Sequence, residues 1–179
     1  IHPGRIYDNT KALPGDELIL TKRIGTGIIS TGLKANQCSP ETAEEFTRSM
    51  AALNKRAGEI IIELGVSTAT DITGFGLIGH LHEVLSASGC AARLHASRVP
   101  FFAEAITIAD NDMIPGGTRA NEKSYEPYTE WGSGVNDTQK ALMNDAQTSG
   151  GLLIFVPKEK KDLLTAALAK EDILAAHIG

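Results

Sequence analysis

Aromatic residues are scarce in this chain, at 5%, and there are only two cysteines, Cys38 and Cys90. The cysteines lie far apart and in no C-x-x-C pattern, so they read as reduced thiols of an intracellular protein. Neither has a paired base in view, which argues against a catalytic thiol. Basic runs are absent too: no Lys/Arg run exceeds two residues, and the net charge is −5. Non-specific nucleic-acid binding needs a basic surface that neutralises phosphates, so it is set aside. A polyphosphate would be repelled as well, unless a cation bridges it to the protein. No stretch approaches the roughly 18–20 apolar residues of a membrane span, so no membrane partner is expected. The sequence has no internal repeat and no signal-like segment. It starts without Met and stops at Ile178-Gly179 after an apolar run, which reads as a piece of a longer protein.

What is present suits one domain with its own core. The chain has 179 residues, of which 42% are hydrophobic and 22% charged. Residues 1–16 read as an irregular linker and residues 17–179 as the folded domain. A short strand is expected at residues 17–21, after the Pro14-Gly15-Asp16 turn. Residues 22–37, with glycines at 25, 27 and 32, give no clear pattern. Ser39-Pro40-Glu41 opens a helix with a Ser cap, Pro at the first helical position and an acid in the first turn. Its buried face is expected to run Ala43, Phe46, Met50, Leu53, Ala57, with Gly58 as a kink or end. A helical piece at 59–64 stops at Gly65. Residues 77–88 form a helix with Leu77, Leu81, Val84 and Leu85 inward, closed by Gly89. A strand is expected at 91–95, a helix at 101–109 with Phe102, Ala105, Ile106 and Ala109 inward, and a long irregular loop at 110–136. Then follow a short helix at 138–144, a buried strand at 151–156, a helix at 158–169 and a strand at 173–178. Strands and helices interleave throughout, so the expected class is α+β: helices covering a mixed β-sheet.

Three segments carry candidate chemistry. Asp71-Ile72-Thr73-Gly74-Phe75-Gly76 ends a strand or loop in a carboxylate, then bares the backbone at two glycines before a helix. Backbone N–H groups at such a turn can approach an anion, and the carboxylate can hold a metal that rides on it. The competing reading is a turn or cap aspartate. Asp145-Ala146-Gln147-Thr148-Ser149-Gly150-Gly151 places two hydroxyls and two glycines before an apolar strand, as a phosphate-facing nest or as a tight entry turn. Pro115-Gly116-Gly117-Thr118-Arg119 offers an anion contact or a plain flexible turn. Thr21-Lys22 with Gly25-Thr26-Gly27 lacks the spacing of a phosphate loop, because its Lys precedes the glycines. His80 and His82, two apart on a helix, cannot share a metal on one face, and no histidine is given a metal role. Glu63, Glu83 and Glu104 read as solvated helix-face acids.

Thr70-Asp71-Ile72-Thr73-Gly74-Phe75-Gly76-Leu77-Ile78-Gly79-His80 closely resembles the TDVTGFGLLGH signature of the selenophosphate synthetase (selenide, water dikinase) family. In the same order, Gly15-Asp16-Glu17-Leu18-Ile19-Leu20-Thr21-Lys22 resembles that family's GD-x-L-x-LTK. Gly116-Gly117-Thr118-Arg119-Ala120-Asn121 resembles its GGT-x-x-N. Gln147-Thr148-Ser149-Gly150-Gly151-Leu152-Leu153 resembles the end of its DPQTSGGLL run, with Ala146 in place of Pro. The resemblance is to the C-terminal domain alone. It implies an α/β/α sandwich on a mixed sheet, as in aminoimidazole ribonucleotide synthetase. It implies a cytoplasmic reaction in which ATP, selenide and water give selenophosphate, AMP and phosphate, with Mg2+ and, in many members, K+. The homodimer would be built mainly through N-terminal domains that also carry the nucleophile, so this chain alone would hold no catalytic residue and would be inactive. Asp71 carries over as a metal ligand. Thr73, Gly74, Phe75, Gly76, Thr148, Ser149 and Gly150 carry over as a wall of the ATP site. Sister families in purine, thiamine and hydrogenase-cofactor synthesis remain the alternative, as does a non-catalytic scaffold domain. The Thr-Gly-Phe-Gly-Leu run argues against the sister families.

Overall fold

The computed structural model describes residues 9–66 and 68–179. Its centre is a four-stranded sheet in the order β2-β3-β1-β4. The strands are β1 (Asp16–Leu20), β2 (Thr68–Asp71), β3 (Leu152–Pro157) and β4 (Ala176–His177). Strand β1 pairs with β3 from Asp16↔Pro157 to Leu20↔Leu153, and β2 pairs with the other edge of β3. The α+β class is as expected, but all three ladders are antiparallel. The mixed sheet reduces to one isolated parallel bridge, Ile24↔Phe101.

Period-two alternation splits the central strands between two cores. Leu18, Leu20, Leu153 and Phe155 face one side, where they meet Leu77, Leu81 and Val84 of α4 (Gly76–Ser88). Ile19, Ile154 and Val156 face the other, against Ile60 and Ile61 of α3 (Lys55–Glu63) and Leu164 and Leu168 of α8 (Lys158–Lys170). Helices thus cover both faces of the sheet, the three-layer arrangement that the resemblance implies. A third core joins α1 (Thr26–Lys34), α2 (Pro40–Ala51), α5 (Ala103–Asp110) and α7 (Asp137–Asn144) through Ile28, Phe46, Phe102, Ile108 and Leu142. Each such side chain, fully buried, contributes about 1.5–3 kcal/mol of transfer free energy.

Helix ends follow their local signals. The Ser39 hydroxyl accepts from Thr42 N at 3.1 Å, with Pro40 at the first helical position. Gly65 and Gly89 close α3 and α4 in left-handed conformations. Other expectations fail for identifiable reasons. The α2 pattern does not run on to Ala57: the chain turns at residues 52–54, Leu53 is 82% exposed, and Gly58 lies inside α3. Residues 22–37 contain α1, whose helical start is stabilised from a distant segment. Residues 91–95 are not a strand, and their backbone reaches the sheet only through His95 N to Ile178 O. Strand β4 has shrunk to two residues. Ile106 is 40% exposed, and Ile108 takes the buried place instead. The irregular loop at 110–136 in fact holds α6 (Gly116–Tyr125), a helix whose inward face is polar and so shows no apolar period. Of the expected linker at 1–16, residues 1–8 lie outside the described residues. Ala12 is buried with the α4-side core.

Candidate functional site

Strand β2 carries the chain to Asp71 at the sheet edge, where the residue is exposed. Among the described residues its carboxylate makes no hydrogen bond or ion pair. Ile72 then drops into the core, and residues 73–75 turn into α4. Gly76 is required there: its φ is +70°, and a Cβ would lie 2.7 Å from the Asn144 carbonyl oxygen. The Thr73 carbonyl accepts from Gly76 N and Gln147 N at 3.0 and 2.9 Å. Phe75, at the start of α4, is 49% exposed. Phe75 supplies no side-chain cap and the first turn of α4 contains no acid, so the positive end of the helix dipole is left without a protein anion.

The two Gly-rich segments of the sequence meet here. Ile72 N donates to Gly151 O at 2.9 Å, and Gly150 packs so closely that a Cβ would lie 2.1 Å from Ile72 O. Thr148 and Ser149 are exposed beside this contact, and Ser149 adopts a left-handed φ of 49°. Behind the turn, Lys22 Nζ donates to Ser149 O, Ser49 O and Ala52 O at 2.7–2.9 Å. Burial lowers the pKa of this ammonium. Lys22 therefore caps α2 and ties it to the 148–150 turn. Asn54 Nδ2 donates to Gly150 O at 2.8 Å in support. A groove of about 640 Å³ opens on this far side, lined by Lys22, Arg23, Ser49, Asn54 and Leu174. It does not include Asp71, Thr73 or Phe75.

Asp145, 0% exposed, does something the sequence did not announce. Its Oδ2 accepts from Gly27 N, Ile28 N and Gln147 Nε2 at 2.8, 3.2 and 3.1 Å, and its Oδ1 from Thr118 Oγ1 at 2.6 Å. Gln147 Oε1 takes the N–H groups of Gly25 and Thr26 at 3.0 and 3.1 Å. The N-terminus of α1 is therefore sealed from within, and the Gly25-Thr26-Gly27 turn offers nothing to a phosphate. Burial pushes the Asp145 carboxyl up to about 6, against the pull of its four donors. The Thr118 and Arg119 run is no flexible loop: Thr118 serves Asp145, and Arg119 pairs outward with Asp112. Asn121 Nδ2 donates to Gly74 O at 2.8 Å and Asn144 O at 3.0 Å, pinning the candidate turn.

His80, buried, bonds Thr73 Oγ1 through Nε2 and Glu83 Oε2 through Nδ1, both at 3.0 Å. Its ring lies 5.5 Å from that of Phe75. Glu83 and Glu104 are thus not merely solvated acids, since Glu104 accepts from Ser39 N at 2.9 Å. The His80/Glu83 spacing of three was a usable signal that the reading of the sequence passed over.

Among the described residues, no group of three or more His, Cys, Asp or Glu is placed to hold a metal ion. Within the 71–76 turn, Asp71 has the one side chain that fits the role of an oxygen ligand: it is exposed, ionisable and unpaired among the described residues. Mg2+ takes six oxygens, and often only one or two come from protein carboxylates. No helix among the described residues is long and apolar enough to cross a membrane.

Helices on both faces of an antiparallel sheet, with a carboxylate-and-glycine turn at the sheet edge, define an α+β domain of the aminoimidazole ribonucleotide synthetase type. The chain belongs to the family described as AIR synthase related protein, C-terminal domain, which matches residues 14–179. It is 40% identical, over its whole length, to the selenide, water dikinase of Carboxydothermus hydrogenoformans, covering 52% of that protein. It is 42% identical over 99% of its length to that of Pelobacter propionicus, covering 51%. The chain thus spans about half the length of these curated relatives. Among solved structures, a hydrogenase maturation protein HypE matches with a TM-score of 0.69 at 18% identity, over 100% of this chain and 47% of that one. A thiamine-monophosphate kinase from Stenotrophomonas maltophilia matches with a TM-score of 0.64 at 15% identity, over 100% and 51%. At these identities the likeness is one of fold.

Proposed function

We propose that this chain is the C-terminal half, residues 17–179 behind a linker at 1–16, of an ATP-dependent selenophosphate synthetase. The enzyme would convert ATP, selenide and water to selenophosphate, AMP and phosphate in the cytoplasm, as a homodimer. The observation that carries the reading is the 71–76 turn: an exposed, unpaired carboxylate beside a helix start with no protein anion. Sequence identity of about 40% to selenide, water dikinases along the whole chain supports the choice of substrate. In this reading Asp71 is one ligand of Mg2+ on ATP, with K+ as a further ion. Thr73, Gly74, Phe75 and Gly76, with Thr148, Ser149 and Gly150, form one wall of the nucleotide site. Bound Mg2+ would supply charge neutralisation for phosphoryl transfer. The chain's own part is positioning, because phosphoryl transfer asks little covalent chemistry of the protein. The catalytic groups would come from the N-terminal half.

The test is Asp71→Asn in a full-length enzyme carrying this chain. The expected result is a 10–100-fold loss of apparent Mg2+ affinity, the range for disturbing a metal's ligand set. An unchanged Mg2+ titration would sink the reading. The 179-residue chain alone should release no AMP from ATP, and metal-dependent AMP release from it would overturn its non-catalytic role. Turnover of an aminoimidazole ribonucleotide precursor or thiamine monophosphate, with none of selenide, would favour a sister activity.

A further inference from the structure

The order Glu83–His80–Thr73 is that of a carboxylate, an imidazole and a hydroxyl in a hydrogen-bonded chain, a pattern in which the carboxylate selects the ring tautomer. Glu83 Oε2 can only accept from His80 Nδ1, at 3.0 Å, so in the neutral ring the one proton sits on Nδ1. Nε2 is then a lone pair, and the Thr73 hydroxyl, 3.0 Å away, must donate to it. The backbone of Thr73 is held as well. Its carbonyl is held by Gly76 N and Gln147 N, and the ring that receives its proton is buried and flanked by Phe75.

We propose that Glu83 and His80 are a positioning pair that fixes the polarity of the Thr73 hydroxyl, making it an acceptor toward any ligand at the 71–76 turn. The inference rests on the ATP-site reading and deepens it by stating what Thr73 recognises. A hydroxyl whose proton is committed inward offers only lone pairs outward. It repels phosphate oxygens and attracts donors, above all the waters of a hydrated divalent cation. Two residues from Asp71, Thr73 is therefore assigned to the cation side of the nucleotide rather than to its phosphates. A nucleophilic role is unnecessary, since nothing in phosphoryl transfer requires a covalent adduct with this threonine.

The first measurement is the His80 tautomer, read from imidazole 15N shifts in the 179-residue chain at pH 8. A protonated Nδ1 and a bare Nε2 are expected, with Glu83→Ala moving protons to Nε2. The second is the Mg2+ half-saturation of the full-length enzyme. Thr73→Val and Glu83→Ala should each raise it about tenfold, as outer-sphere changes do, with less change in kcat. Thr73→Ser, which keeps the hydroxyl, should restore it. Combining Thr73→Val with Glu83→Ala should add little to either alone. Glu83 is partly exposed, so its removal leaves the core intact. An Nε2-protonated ring in the wild type overturns the proposal. So does an unchanged half-saturation in Thr73→Val and Glu83→Ala; if Asp71→Asn still shifts the titration, the ATP-site reading survives, and if it does not, that reading falls too.

Discussion

Two helices in this molecule begin at glycine-flanked turns, and they end up opposite in kind. The start of α1, at Gly25-Thr26-Gly27, is plugged by Asp145 and Gln147 from a segment more than a hundred residues away. The start of α4, at Gly74-Phe75-Gly76, receives no side-chain cap and no acid, and the nearby carboxylate of Asp71 points at nothing in the described chain. Helix dipole and bare backbone are common to both turns, so glycine spacing alone cannot separate a turn plugged from within from one left unplugged. What separates them is whether the fold brings an internal anion to the N–H groups.

The contrast breaks most visibly at Asp145. Asp145→Ala strands the Thr118 hydroxyl and two α1 amides in a buried site, so chemical denaturation should show a loss of about 3–5 kcal/mol. The second effect is one of pH. The folded-state pKa of Asp145 is raised from 3.8 to about 6, so the native state holds this proton more tightly than the unfolded chain does. Its contribution to stability is therefore greatest below about pH 4, falls as pH rises through about 4 to 6, and is flat above. On the order of 2–3 kcal/mol is expected across that window. The slope should appear as the difference between the wild type and Asp145→Asn in denaturant midpoints measured from pH 4 to 7. The third comparison is between glycines. A Cβ on Gly27 would lie 2.6 Å from Asp145 Oδ1 and Ala146 O, while one on Gly74 would meet nothing within 4 Å. Gly27→Ala should cost about 1–3 kcal/mol by overpacking, read from thermal unfolding. Gly74→Ala, like Asp71→Asn, should change stability by no more than about 0.5 kcal/mol. A destabilised Asp71→Asn chain would put Asp71 with the structural acids.

Local chemistry was readable where it acts locally. The Ser39 cap, the Gly65 and Gly89 stops and the alternation in β1 and β3 all follow from neighbours within a turn or a strand. The resemblance of residues 70–80 to a known signature led to Asp71, and the fold sets that carboxylate free at a sheet edge. Illegible were the features that depend on distant partners. Helix α1 needs Asp145 to begin, and α6 hides because its inward residues, Thr118 and Asn121, are polar and buy their burial with hydrogen bonds. Residues 91–95 have strand-like composition, but the edge beside them is the two-residue β4, and they make one backbone bond there, His95 N to Ile178 O. The role of His80 is hidden for a different reason: metal-ligand spacing says nothing about a histidine that holds its neighbours, here Thr73 and Glu83.

The register of the sheet also dictates when it can be built. Residue 16 pairs with residue 157, and among the described residues no other strand lies beside β1 except β4, which comes later still. On a ribosome adding about 5–20 residues per second, β1 waits roughly 7–30 s for its first partner. During that interval Leu18, Ile19 and Leu20 have no sheet to enter. Helix α3 can form locally, but the sheet face it covers does not exist until β3 is made. Folding of this chain is therefore governed by its last third, and slow sheet closure should dominate its refolding kinetics.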